Sequence, residues 1–163
     1  MKLKKRIAIV VSLLVGIVTL VAGSSAWKTH LENSLLGPDT DQNGVRDDID
    51  DYIQTRYAGS EKKRAAMIQM ARDYQTAFRV LSDPEKTTRA IDALDRSILC
   101  FEAIFGDECV VESHSFLSEL LNNYSRSKAW IHVQNLLFQK ELYFPAQSMW
   151  IKECRFNPEA MKN

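Results

Sequence analysis

The sequence predicts an all-α fold: a small helical bundle of four or five principal helices, entered through one acidic loop at residues 39–50. Three observations carry this. Beyond Trp27, apolar residues recur at helical spacing in nearly every segment. The runs are separated by helix start and stop signals, among them Gly37-Pro38, Ser60, Asp83-Pro84-Glu85 and Gly106. No alternating strand pattern of useful length, no internal repeat and no low-complexity linker interrupts them.

Taken in order, Trp27 to Leu36 is a short helix candidate, closed by Gly37 and Pro38. After the acidic loop, Ile49, Tyr52, Ile53 and Tyr57 share one helical face, and Gly59 ends that element. Ser60 can cap the next helix, whose apolar stripe is Met67, Ala71, Tyr74, Phe78 and Leu81. Asp83-Pro84-Glu85 is a restart: a cap, a proline at the first helical position, and an acid facing the positive end of the helix dipole. Ile91, Leu94, Ile98, Phe101 and Phe105 then follow the 3-4-3-4 rhythm of a bundle seam. Leu99, Cys100 and Ile104 lie off that seam, so a second cover is expected there, supplied by the segment carrying Cys109. Phe116, Leu117, Leu120, Leu121 and Tyr124 make another stripe, with Ser113 or Ser115 as its cap and Asn122-Asn123 as a kink or end. Trp130, Val133, Leu137 and Phe144 continue the pattern to Pro145, and Met149, Trp150 and Cys154 suggest a last short helix.

The first 26 residues stand apart from this domain. Lys2, Lys4, Lys5 and Arg6 precede an uncharged, almost wholly apolar run of 17 residues from Ile7 to Gly23, and Ser24-Ser25-Ala26 follows. This resembles a bacterial secretory signal peptide cut after Ala26. The alternative is an uncleaved N-terminal membrane anchor through residues 7–23, since 17 residues is about the minimum for a span. Either way residues 27–163 lie outside the cytoplasm, in the periplasm, secreted, or anchored in the inner membrane. Residues 1–26 hold four bases and no acids, which leaves 17 Lys+Arg against 21 Asp+Glu and a net charge of −4. No basic stripe is present, which argues against nucleic acid as a partner. Three cysteines in an exported chain suggest one disulfide and one spare thiol, with Cys100–Cys109 the favoured pair across a turn at Gly106; three buried, reduced thiols are the alternative.

Within the acidic loop, oxygen-bearing side chains fall at positions 1, 3, 5, 9 and 12 of twelve residues: Asp39, Asp41, Asn43, Asp47 and Asp50. Gly44 sits at position 6, where the chain must turn, and Val45 at position 7 offers a backbone carbonyl. Calcium takes six to eight oxygens in irregular geometry, so this spacing suits it. The pattern D-x-D-x-N-G-x-x-D-x-x-D resembles the calcium loop of thrombospondin type 3 repeats and related extracellular EF-hand-like loops. It departs from the intracellular EF-hand in having Asp50 rather than glutamate at position 12, Arg46 at position 8, Pro38 immediately before position 1, and a single copy. The resemblance covers residues 39–50 and implies a bound calcium ion, with a structural role ahead of a signalling one. Acids in a first helical turn also suit the dipole, which accounts for Asp47, Asp48 and Asp50 but not for the spacing of the others. Asp48 and Asp51 read as supporting or exposed charge.

Other chemistry is sparse. Glu112-Ser113-His114 places an acid, a hydroxyl and an imidazole in a row, but sequence neighbours point in different directions and rarely form a catalytic group. No zinc-protease, nucleophile-elbow, phosphate-loop or dinucleotide motif occurs. Trp130, Tyr143, Phe144 and Trp150 form an aromatic C-terminal region, read as core, with a partner or ligand groove as the alternative. The same two readings apply to Arg72, Tyr74, Phe78 and Arg79 on one helix. The expectation is an exported, calcium-stabilised helical domain at residues 27–163, acting as a non-enzymatic interaction or accessory module with a protein partner in the cell envelope. The alternative is an envelope-associated hydrolase without a recognisable motif, using a carboxylate pair drawn from residues such as Glu102 and Glu119.

Overall fold

A computed structural model describes residues 34–139 and 145–163, and five complete α-helices account for most of these described residues. They are α1 (Asp47–Arg56), α2 (Glu61–Val80), α3 (Pro84–Phe105), α4 (Cys109–Leu120) and α5 (Tyr124–Gln139). Short 3₁₀ turns cover Gly106–Glu108, Gln147–Glu153 and Pro158–Ala160, and no strand occurs among the described residues. The fold class is all-α, as the apolar periodicity predicts. The expected export segment at residues 1–26, most of the helix expected from Trp27 to Leu36, and Tyr143 and Phe144 lie outside the described residues. No helix among the described residues is long and apolar enough to cross a membrane.

The helix boundaries follow from local chemistry. Ser60 Oγ accepts from the Lys63 amide at 3.2 Å and Asp83 Oδ1 from the Lys86 amide at 3.1 Å, so each cap satisfies an orphan N–H of the first turn. Gly106 ends α3 at φ 54°, a conformation that costs a side-chain-bearing residue about 1–2 kcal/mol. One boundary differs from expectation. The α4 helix begins at Cys109, and Ser113 and Ser115 lie inside it, donating to the Val110 and Val111 carbonyls. Asn123 rather than either serine acts as a cap, its Oδ1 accepting from the Arg126 amide at the start of α5.

The α2 and α3 helices, joined through Leu81 to Asp83, form the main hairpin, and the other helices pack around it. Val45, Ile49 and Ile53 reach the core from the acidic loop and α1, Met67, Tyr74 and Phe78 from α2, Leu94, Phe101 and Phe105 from α3, Phe116 and Leu120 from α4, and Val133 from α5. Each large side chain so removed from water contributes roughly 1.5–3 kcal/mol. Tyr74 stands where three helices meet, its ring 6.0 Å from Phe116 and 5.1 Å from Trp130. The expected core reading of Tyr74, Phe78 and Trp130 therefore holds.

The disulfide joins Cys100 to Cys154, with Cα atoms 4.9 Å apart, and Cys109 is free; the expected Cys100–Cys109 pair does not form. The reason is the helical repeat. Ile98 and Phe101 line the side of α3 that faces α4 and Cys109, whereas Cys100 lies about 100° round the axis from Phe101. The segment Gln147–Glu153 crosses α3 and delivers Cys154 to that second face, supplying the cover that Leu99 and Cys100 require. Closing 54 residues in this way stabilises the fold by about 4 kcal/mol in the chain-entropy account. Peptide mapping under non-reducing conditions is expected to link Cys100 with Cys154. Cys154→Ser should lower the melting temperature while Cys109→Ser leaves it unchanged; a Cys109 cross-link in the unmodified protein would overturn the pairing.

Candidate metal centre

The loop at residues 39–50 closes on itself through its own acids. Gly44 at φ 86° makes the turn that its position predicts, and its amide donates to Asp39 Oδ2 at 3.1 Å. Gln42 also takes a left-handed conformation, φ 58°, which is costly for a residue with a side chain. Asp41 accepts from the Asn43 amide at 3.1 Å and from Asn43 Nδ2 at 2.9 Å, and the same Nδ2 lies 3.4 Å from Asp50 Oδ2. The partly positive amide group of Asn43 thus sits between two carboxylates. Asp47 accepts from the amide and the hydroxyl of Thr40 at 2.8 and 2.6 Å, and these bonds hold its carboxyl below the ordinary value.

Three of the expected ligands converge. Carboxylate oxygens of Asp39, Asp41 and Asp47 lie within 4.8 Å of one another. Asp39 Oδ1 is buried and has no hydrogen-bond partner among the described residues. Asn43 and Asp50 adjoin this group through the amide contact, although Asn43 Oδ1 accepts from the Val45 amide at 2.8 Å. Val45 places its side chain in the core. A buried carboxylate oxygen without a donor is unfavourable by itself and is satisfied by a cation. The all-oxygen donor set fits a hard ion of the calcium kind.

Arg46 does what its position in the loop did not predict. Its side chain is 1% exposed, and it makes a forked pair with Asp48 through Nε and Nη2. It also donates to the carbonyls of Glu119 and Leu120 at 3.2 and 3.3 Å, the last carbonyls of α4. A cation at a helix C-terminus satisfies orphan acceptors and complements the dipole together. Burial opposes the ionisation of Asp48, and its bonds to Arg46 outweigh that, holding its carboxyl low. Asn122 donates to Asp48 at 3.2 Å and accepts from Arg126 Nη1. Arg126 Nε, Asn123 Nδ2 and Gln75 Nε2 then take the carbonyls of Leu35, Ser34 and Leu36, at 3.0, 2.8 and 2.5 Å. Gly37 has no space for a Cβ, which would strike the Arg46 side chain. On the far side Arg72 Nε donates to the Asn43 carbonyl at 2.7 Å.

The remaining candidates have these surroundings. Glu112 accepts from Arg56 at 2.7 and 2.9 Å and from the Tyr57 hydroxyl at 2.6 Å, and the Arg56 bonds lead in holding its carboxyl low. Ser113 Oγ donates to the Val110 carbonyl at 2.9 Å and not to Glu112. Burial pushes the Glu102 carboxyl up, and Glu102 lines a cavity of about 150 Å³ with Cys109 and Ser113; Glu119 is not among the lining residues. Trp150 donates to the Pro145 carbonyl at 2.9 Å. Compared with protein-family models, with curated proteins and with solved structures, the chain matches none.

Two outcomes follow from this geometry. Arg46→Met strands the Glu119 and Leu120 carbonyls and Asp48, and is expected to cost about 2–4 kcal/mol in urea denaturation. Arg72→Met, at an exposed position, should stay within about 1 kcal/mol. Equal losses in the two variants would refute the clamp. Asp47, Asp48 and Glu112 titrate lower in the folded chain than in the unfolded one. Their contribution is therefore present above the unfolded pKa values and lost as pH falls through the folded ones. Melting temperature should drop between about pH 5 and pH 2, and less steeply in Thr40→Val, where Asp47 loses a donor.

Proposed function

We propose that this chain is an exported bacterial helical protein that holds one calcium ion at residues 39–50 as a structural staple, and that it serves the cell envelope as a non-enzymatic interaction or accessory module. The observation that carries the metal reading is the buried, unpartnered Asp39 Oδ1 beside Asp41 and Asp47. Asp39, Asp41 and Asp47 would bind the ion, with Asn43, the Val45 carbonyl and Asp50 completing the set. Calcium would replace the Asn43 amide as the positive group between Asp41 and Asp50. Because the loop runs directly into α1 and is tied to α2 through Arg72 and to α4 through Arg46, the ion would brace helices far apart in sequence. A single loop with a short closing aspartate fits an affinity on the order of 10⁻⁴–10⁻³ M, suited to calcium-rich surroundings.

Export is supported by the apolar run at residues 7–23 and by the Cys100–Cys154 disulfide, a bond that persists in oxidising compartments. A protein partner is supported by Tyr124, Ile131 and Phe138, which stand exposed on α5 at seven-residue spacing.

Calcium added to chelator-treated protein at about ten times its Kd should stabilise it by roughly 1.4 kcal/mol, a rise of several degrees in melting temperature. Asp39→Asn with Asp41→Asn should abolish the rise. An unmodified protein that melts identically with and without calcium would sink the staple. N-terminal sequencing of chain recovered from the envelope is expected to begin at Trp27, or at Met1 if residues 7–23 remain as an anchor. Recovery from the cytosol alone would overturn export.

A further inference from the structure

Beside the metal loop, α2 and the C-terminal segment enclose a groove of about 390 Å³, lined by Ala65, Ile68, Gln69, Arg72, Arg155 and Phe156. Its size is that of a small-molecule site. Its two sides differ in chemistry. Ala65, Ile68 and Phe156 give it an apolar floor, all three partly buried. Arg72 and Arg155 give it guanidinium groups with donors to spare. Arg72 uses only Nε, on the Asn43 carbonyl, and makes no ion pair among the described residues. Arg155 uses only Nη2 of its side chain, on Asp73 Oδ2 at 2.5 Å, Ser97 Oγ at 3.1 Å and the Gln69 carbonyl at 3.4 Å. Both Nη groups of Arg72, and Nε and Nη1 of Arg155, find no acceptor among the described residues.

The wall bearing Arg155 is firmly held. Arg155 N donates to Gln69 Oε1 at 2.7 Å, Gln69 Nε2 donates to the Glu153 carbonyl at 3.1 Å, and the disulfide at Cys154 lies between those two anchor points. The side chain of Glu153 is taken by Arg96 at 3.1 Å and does not neutralise the groove. Among the side chains that line the groove and their direct partners, buried Asp73 cancels one of the two positive charges, which leaves one guanidinium without a carboxylate. A planar fork of N–H donors matches a carboxylate in shape, and a single residual charge matches a monoanion rather than a phosphate dianion. We propose that this groove, between Arg72, Arg155, Ile68 and Phe156, binds a small apolar monocarboxylic acid, the carboxylate on the two guanidiniums and the hydrocarbon on the floor.

Arg72 also holds the Asn43 carbonyl of the acidic loop, so the test is run both in chelator and with calcium, and the outcomes below are expected in both. Hexanoate titrated into the purified chain, followed by calorimetry or by amide chemical shifts, should bind saturably and shift resonances of Ile68, Arg72 and Phe156. Hexanamide, with the same body and no charge, should bind about tenfold or more weakly, the worth of a charge-assisted hydrogen bond. Arg72→Gln should weaken hexanoate by a similar factor while stability stays within about 1 kcal/mol of the parent. Arg155→Gln should weaken it too, with a fall in melting temperature because Asp73 loses its cationic partner and keeps only Ser97. Equal binding of hexanoate and hexanamide, an Arg72→Gln protein that binds hexanoate as the parent does, tighter binding of inorganic phosphate than of hexanoate, or no saturable binding at millimolar hexanoate would each overturn the proposal.

Discussion

The buried guanidinium of Arg46 is the interaction on which the arrangement around the loop depends. Taking a cation out of water costs several kcal/mol, and that cost is offset here by a forked carboxylate and two carbonyls at the end of a helix. The offset works only if α4 stops at Leu120 and if α1 starts at Asp47, so that Asp48 stands next to the guanidinium. One side chain therefore sets the end of one helix against the beginning of another, across 73 or 74 positions of sequence. The position of the residue within a tight loop matters as much as its charge. Val45 and Ile49 on either side are in the core, so the backbone that carries Arg46 cannot withdraw toward solvent.

That anchoring explains how four acids of the loop can stay close together. Without restraint, Asp39, Asp41, Asp47 and Asp50 would repel one another and open the turn. Local donors hold it closed instead: Thr40 on Asp47, the Gly44 amide on Asp39, the Asn43 amide group on Asp41 and Asp50. These are weak and half-exposed, and one oxygen of Asp39 is left out of them. The Arg46 clamp behind the loop and the Arg72 bond in front of it supply what these bonds lack. A cation entering this frame would meet acids already collected, so little ordering entropy would remain to oppose binding.

How far this was legible differs between the fold and the site. The seam Ile91, Leu94, Ile98, Phe101 and Phe105 and the caps Ser60 and Asp83 are local signals, and they appear in the structure where the spacing puts them. The Cys100–Cys154 bond was not legible, because choosing between cysteines 9 and 54 positions away requires knowing which face of α3 the chain returns to. The loop's acids were legible as a group, since their spacing is itself local. The roles of Arg46, Arg72 and Arg126 were not, for each binds a backbone carbonyl, and any carbonyl is identical in sequence terms. A signal did exist for Arg46. A charged residue stands between the apolar Val45 and Ile49, both core positions, and such a residue must find partners or break the fold.

The same reasoning explains why α2 is so polar and yet so central. Gln69, Asp73 and Gln75 are buried, and a reading by hydropathy alone would place them in solvent. Each is satisfied by a segment distant in sequence. Gln69 and Asp73 hold the C-terminal strap through Glu153 and Arg155, and Gln75 holds the Leu36 carbonyl just ahead of the loop. Apolar contacts would have accepted many placements of those two irregular segments, because hydrophobic attraction has no direction. A buried amide or carboxylate accepts few, because a misplaced segment leaves it unpaired in low dielectric. The polar residues of α2 thus act as selectors of register for segments that have little regular structure of their own. That is also why the acidic loop and the groove lined by Arg72 and Arg155 both adjoin this one helix: it is the surface against which the irregular segments are held in place.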